Sequence, residues 1–309
     1  MTSKSVFPYF RRCNPPNFLR FFELLVLFLF YIYYIIKTME NFVELNGYAK
    51  VNLSLAITGV KDGFHMLDSV MAKVDMCDKV TMSIRNDKEV SVTYLTGETF
   101  CPDNAYNLAV ALMERYDLPG VDIKISKAVP QGIGVGGSAV DGGAIARGYE
   151  MLTGKTFDND FLVTLGGDVP VLKSKGASIV RGRGEKITPI ELKETYVLLA
   201  YGKKSLNTRE VFALYDKIGG DEGSSEQFLS DYIPFNALER SAITLEPEIL
   251  KSKNLLLEAG FERVTMTGAG AGFIALESDK ERFSSKLSKA IALASDEDIT
   301  LKPLTLIKD

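Results

Sequence analysis

Residues 42–60 read FVELNGYAKVNLSLAITGV, β-branched and aromatic residues interleaved with small and polar ones in the manner of strands. The turn Lys61-Asp62-Gly63 closes that stretch. VTMSIRNDKEVSVTYL, residues 80–95, reads as a hairpin about Asn86-Asp87, and VDIKIS, residues 121–126, as another short strand. Apolar positions at helical spacing predict helices over residues 105–117, 142–152 and 158–167. The pattern begins afresh near Thr195. A strand over 195–202 leads to a helix over 207–218 and an acidic loop over 219–227; a helix over 246–260, strands over 261–268 and 272–278, a helix over 279–294 and a strand over 301–307 follow. Hairpins mixed with helices point to an α+β fold rather than a doubly wound parallel sheet. The fresh start divides the chain into expected domains at residues 39–192 and 193–309.

Residues 1–38 follow neither pattern. They hold five Lys or Arg against one Glu, and Leu24 to Ile36 are thirteen apolar or aromatic residues without a break. A spanning helix needs about 20, and no small-residue cleavage site follows as a signal peptide requires. The segment is expected to be a mis-assigned start upstream of Met39 or a membrane anchor. The rest of the chain carries 31 basic against 39 acidic residues, a net of −8. No basic stripe with interleaved aromatics is present, which argues against a nucleic-acid partner. The 309 residues, 46% hydrophobic and 25% charged, are ordinary material for one large domain or two smaller ones. Cys13, Cys77 and Cys101 form no CxxC pair, and the one histidine, His65, excludes multi-histidine metal centres.

The distinctive stretch is KAVPQGIGVGGSAVDGGAIARGYEML, residues 127–152, with seven glycines from Gly132 to Gly148. Strand, glycine loop and helix in that order set backbone N–H groups and a positive helix end where an anion can sit, so phosphate is the expected guest. Gly132, Gly134 and Gly137 satisfy G-x-G-x-x-G, but the acidic residue expected about 20 positions beyond a dinucleotide loop is missing. A Walker A loop fails for want of Lys-Ser or Lys-Thr after the glycines. Tight strand–helix packing is the purely structural alternative, set below anion binding because glycines in such number cost folding entropy; a further reading comes from a wider match.

GYAKVNLSLAITGVKDGFHMLDSVM, YNLAVALM, VPQGIGVGGSAVDGGA, LGGDVPVLKSKGASIVRGRGEKITPI and MTGAGAGFIAL occur in that order. Together they resemble the GHMP kinases, and among them a branch acting on a cytidine diphosphate sugar-alcohol. The resemblance implies an S5-like N-terminal domain, a ferredoxin-like C-terminal domain, and ATP- and Mg²⁺-dependent phosphorylation of a small-molecule hydroxyl in the cytoplasm. Carried over by motif, it implies Lys50 and Asp168 as the catalytic pair. A carboxylate to orient the hydroxyl proton and a cation to steady developing charge are most of what side chains supply to phosphoryl transfer. ATP would meet Asn107, Lys127, Pro130, Gly132, Gly134, Gly136, Gly137 and Ser138, and the cytidine end Asn52, Phe64 and His65. Another small-alcohol kinase of the family, or a nucleotide-binding homologue with weakened turnover, is the alternative. Phe64 stands where a tyrosine is usual, keeping an aromatic face. Ala139-Val140 replace a Ser-Ser pair whose hydroxyls would serve phosphate or Mg²⁺, and Gly268-Ala269-Gly270-Ala271-Gly272 replace a serine-bearing glycine motif. Gly142 and Gly143 are expected to weaken the helix start by ~1 kcal/mol each relative to alanine.

Overall fold

The computed structural model describes residues 24–29, 41–96, 104–295 and 298–308. One compact unit is Val43–Asp309; Met1–Phe42 form a separate unit, of which residues 24–29, which are helical, and 41–42 are described. Most of the expected leader, together with Cys13 and Cys101, lies outside the described residues. Among the described residues no helix is long and apolar enough to cross a membrane.

The first sheet is built on β1 (Phe42–Lys61) and β2 (Phe64–Ile84), two long strands joined at Asp62-Gly63. Both turn residues have positive φ, +52° and +78°, a backbone that Asp and Gly adopt more readily than other residues. β3 (Val90–Thr96), β4 (Val121–Ser126) and β8 (Phe235–Asn236) complete the order β3-β4-β2-β1-β8, while β5 (Ala177–Gly182) pairs with β2 and β6 (Lys186–Ile190) with β5. The expected hairpin over residues 80–95 is therefore corrected. β4 lies between β2 and β3, antiparallel to the first and parallel to the second. Burial explains the exchange, because Val121, Ile123 and Ile125 are fully buried and suit an interior strand, whereas Val90, Val92 and Tyr94 are only partly buried and suit an edge. The turn after β2 bonds to Gly120 instead, with Gly120 N–H donating to Asp87 O at 2.7 Å. A parallel pair needs a crossover, and α1 (Asn104–Tyr116) supplies it.

α2 (Val140–Thr153), α3 (Asn159–Leu165) and α4 (Val169–Lys173) follow β4. The α2 glycines are contact points. A Cβ on Gly143 would lie 2.7 Å from the Leu172 backbone carbon of α4, and one on Gly148 would lie 2.2 Å from Met82 Sδ of β2. Packing, ranked below anion binding in the sequence, therefore accounts for the helical glycines.

The second sheet has the order β11-β7-β10-β9, from β7 (Tyr196–Tyr201), β9 (Arg263–Met266), β10 (Phe273–Glu277) and β11 (Thr300–Thr305), all neighbours antiparallel. α5 (Thr208–Ile218), α6 (Ser225–Asp231), α7 (Glu239–Leu245) and α8 (Leu250–Glu258) lie between β7 and β9, and α9 (Lys280–Ala294) between β10 and β11. This is the split β-α-β order of the ferredoxin-like fold that was expected. α6 begins inside the expected acidic loop, where the Ser224 hydroxyl accepts from Gln227 N–H at 3.1 Å as an N-cap. The two sheets interlock. β8, from the C-terminal half of the chain, pairs with β1 through Ser54 and Leu55, and the segment after β11 bonds to β2, Ile307 N–H donating to Lys73 O at 2.9 Å.

Candidate active site

The chemistry starts on β1, whose inward face carries Lys50 and Asn52, both almost fully buried. Alternation puts the two side chains on the same face, and Lys50 Nζ donates to Asn52 Oδ1 at 2.6 Å. Asn52 has no spare polar atom. Its Oδ1 also accepts from Gly268 N–H at 3.1 Å, and its Nδ2 donates to Ser69 Oγ at 2.9 Å. Across from Lys50, Asp168 occupies the N-cap position of α4, with Pro170 in the first turn to start the helix. Its carboxylate caps no backbone N–H and faces Lys50 Nζ at 3.4 Å, with 30% of the side chain exposed. Among the described residues, the one carboxylate on the wall of this cavity is thus paired with a buried cation.

The cavity holds about 490 Å³ and takes its opposite wall from the glycine loop: Gly132, Gly134, Gly136, Gly137 and Ser138. Gly132, Gly134 and Gly136 have φ between +71° and +82°, a run of left-handed residues in the loop that leads into α2. Such loops direct successive N–H groups to one side and hold anions with the helix dipole behind them. The loop is braced from behind. A Cβ on Gly134 would lie 1.8 Å from Thr267 O, and one on Gly268 would lie 2.6 Å from Gly134 O. The turn after β9 and the glycine loop therefore meet backbone to backbone, and the serine-less glycine motif supplies an absence of side chains there.

At the other end Phe64, half exposed, and His65 line the cavity. His65 Nε2 lies 2.7 Å from Asp216 Oδ1, and its ring is 4.7 Å from the Phe212 ring of α5. Arg183 Cζ stands 4.7 Å from the Phe64 ring centroid. Asp216, Phe212 and Arg183 were not singled out from the sequence. Of the three, only Arg183 lies in a quoted motif, within RGRGE.

Three expected nucleotide contacts lie off the cavity wall. Asn107 is exposed on α1, and Pro130 backs the loop, its carbonyl 2.3 Å from where a Gly137 Cβ would be. Lys127 is buried in an ionic triad, with Nζ 2.5 Å from Asp78 Oδ2, 2.8 Å from Asp141 Oδ2 and 3.2 Å from Gly137 O. Asp78 also accepts from Ala128 and Val129 N–H. Asp141 is less well served, because its Oδ1 is buried with no partner. Burial pushes the Asp141 carboxyl up to about 7, against the pull of Lys127 and with help from Asp78. Burial also disfavours a charged Lys127, but its two carboxylates outweigh that and raise it. One cation thus faces two acids, of which Asp78 accepts two further N–H groups while Asp141 leaves one oxygen unpartnered.

No group of three or more His, Cys, Asp or Glu side chains that could hold a metal exists among the described residues. That does not conflict with Mg²⁺, which binds nucleotide phosphates and needs only one or two protein ligands.

Residues 103–176 match the GHMP kinases N terminal domain. The 4-diphosphocytidyl-2-C-methyl-D-erythritol kinase of Bacillus subtilis is 30% identical over 259 residues, covering 76% of this chain and 89% of that relative. The enzyme of the same name from Alkaliphilus metalliredigens is 36% identical over 186 residues, 56% of this chain and 63% of the relative. A crystal structure of 4-(cytidine 5'-diphospho)-2C-methyl-D-erythritol kinase superposes with a TM-score of 0.69 at 23% identity, covering 86% of this chain and all of the other. The homoserine kinase of Cytophaga hutchinsonii superposes with a TM-score of 0.58 at 17% identity, over 84% of this chain and 94% of the other.

Proposed function

The chain belongs to the 4-diphosphocytidyl-2-C-methyl-D-erythritol kinases, and on that footing we propose how its residues divide the reaction. The protein is an ATP-dependent kinase that phosphorylates the 2-hydroxyl of 4-diphosphocytidyl-2-C-methyl-D-erythritol, a step of non-mevalonate isoprenoid biosynthesis. The observation that carries the division of labour is the Lys50–Asp168 pair, 3.4 Å apart in a cavity shared by the glycine loop and by Phe64 and His65.

Asp168 accepts or orients the proton of the attacking hydroxyl, and Lys50 offsets negative charge as it develops on the transferring phosphoryl group. Backbone N–H groups of the loop from Gly132 to Ser138, with the α2 N-terminus behind them, hold the ATP phosphates. These groups act without regard to side-chain identity, so Ala139-Val140 leaves them in place. Mg²⁺, bound by ATP together with Asp168 and the exposed Ser138 hydroxyl, would neutralise phosphate charge. Phe64 and His65 take the cytosine by stacking and hydrogen bonding. Asn52 orients Lys50 from below, and Lys127 holds the loop through Asp141 and Gly137. Asn107 and Pro130 serve the nucleotide from outside the cavity wall, by framing α1 and the loop. The domains divide near residue 192, and the enzyme works in the cytoplasm.

ADP release by the purified chain with Mg-ATP should require the diphosphocytidyl substrate. Asp168→Asn should lower kcat by about 10²–10⁴-fold with its fold intact. Release independent of substrate, or undiminished in the variant, would sink this reading. Nucleotide binding without any turnover would favour the non-catalytic alternative.

A further inference from the structure

We propose that Arg183, at the turn between β5 and β6, is the residue that binds the diphosphate of the cytidine substrate and selects for it. The inference rests on the substrate reading above and adds a residue to it.

A ligand that carries two phosphates between its base and its reacting alcohol must cross from Phe64 and His65 to Lys50 and Asp168. Among the described residues the cavity wall offers three basic side chains along that path: Lys50, His65 and Arg183. Two are committed. Lys50 faces Asp168 and donates to Asn52, and His65 lies against Asp216. Arg183 has no carboxylate partner among the described residues. Its nearest acid in sequence, Glu185, folds back so that its carboxylate accepts from Arg183 N–H at 2.6 Å, and this ties that charge to the turn backbone. The guanidinium instead lies over the Phe64 ring, 4.7 Å from its centroid. A cation on an aromatic face keeps its edge N–H groups available.

The turn also fixes where the guanidinium starts. A Cβ on Gly184 would lie 2.2 Å from Gly167 O, so only a glycine lets this turn seat on the residue that precedes Asp168. Arg183 therefore springs from a backbone locked beside the reacting carboxylate and reaches to the aromatic that takes the base. A planar fork with parallel N–H donors suits a diphosphate.

Arg183→Met and Arg183→Lys, made in the full chain, test this by kinetics and calorimetry. Loss of charge-assisted phosphate contacts should raise KM for the diphosphocytidyl substrate about 10- to 100-fold in Arg183→Met, with KM for ATP and the unfolding temperature near wild type. Arg183→Lys should fall between, because it keeps charge without the fork. By titration calorimetry wild type should bind CDP more tightly than cytidine, and Arg183→Met should lose that margin while retaining cytidine. A rise in KM for ATP alone would move the guanidinium to the nucleotide phosphates and overturn the inference. Equal losses for CDP and cytidine would also overturn it, because Arg183 would then merely prop Phe64. A wild type that prefers CDP but transfers no phosphate would sink the kinase reading and leave the Arg183 assignment standing.

Discussion

Asp141 shows how a single side chain can cost stability at the edge of a working loop. It shares Lys127 with Asp78, leaves Oδ1 unpartnered, and is pushed up to about 7 by burial. The folded protein therefore holds a proton there between about pH 4 and 7 that the unfolded chain has released, and stability must fall as pH rises through that window. Above about 7 the contribution is flat. Asp141→Asn removes the titration but keeps an oxygen for Lys127. The unfolding temperature of the variant, relative to wild type, should climb by a few degrees between pH 5 and 8. Parallel curves for the two proteins would refute this. The sequence singled out Lys127 as a nucleotide contact but could not pair it with Asp141 and Asp78, since that depends on β2, β4 and α2 meeting. Lys50 and Asp168 were legible only through their motifs, because each alone reads as an edge lysine and a turn former.

Among the elements, α2 separates propensity from packing. Helix propensity predicts that replacing either of its first-turn glycines by alanine stabilises the protein by ~1 kcal/mol. The surroundings reverse this at Gly143, where the new methyl would press on the Leu172 backbone, and soften it at Gly142, where the close neighbour is the end of the Leu108 side chain. Chemical denaturation should find Gly143→Ala destabilised by roughly 1–3 kcal/mol and Gly142→Ala within about 1 kcal/mol of wild type. A stabilised Gly143→Ala would mean that α4 yields freely, and with it Asp168. Periodicity revealed most helices and strands, because it registers which face is buried. It could not reveal that β4 enters between β2 and β3, since strand partners are chosen by burial across the sheet and not by the turn between neighbours in sequence.

For the whole molecule, the interlocking of the sheets outweighs their separate topologies. β8 extends the first sheet from the second half of the chain, and β2 receives the segment that follows β11. The fresh start of pattern near Thr195 was visible in the sequence, but the two-residue β8 was too short to leave a periodicity. With polar and apolar contacts running across the boundary, Val43–Asp309 should unfold as one cooperative unit. Calorimetry of the purified chain should give one main transition, with van't Hoff and calorimetric enthalpies equal for it. Two resolved transitions assignable to residues 39–192 and 193–309 would contradict that.

The Asn52–Gly268 bond joins residues 216 positions apart, and this bears on synthesis. A ribosome has made Lys50, the glycine loop and Asp168 long before it reaches the turn that braces Gly134. An elongating chain thus holds every proposed catalytic side chain without the backing that fixes the loop. Competence to handle nucleotide should arrive only once the turn at Gly268 has been made, so a chain cut short before residue 268 is expected to show no phosphotransfer when assayed with Mg-ATP.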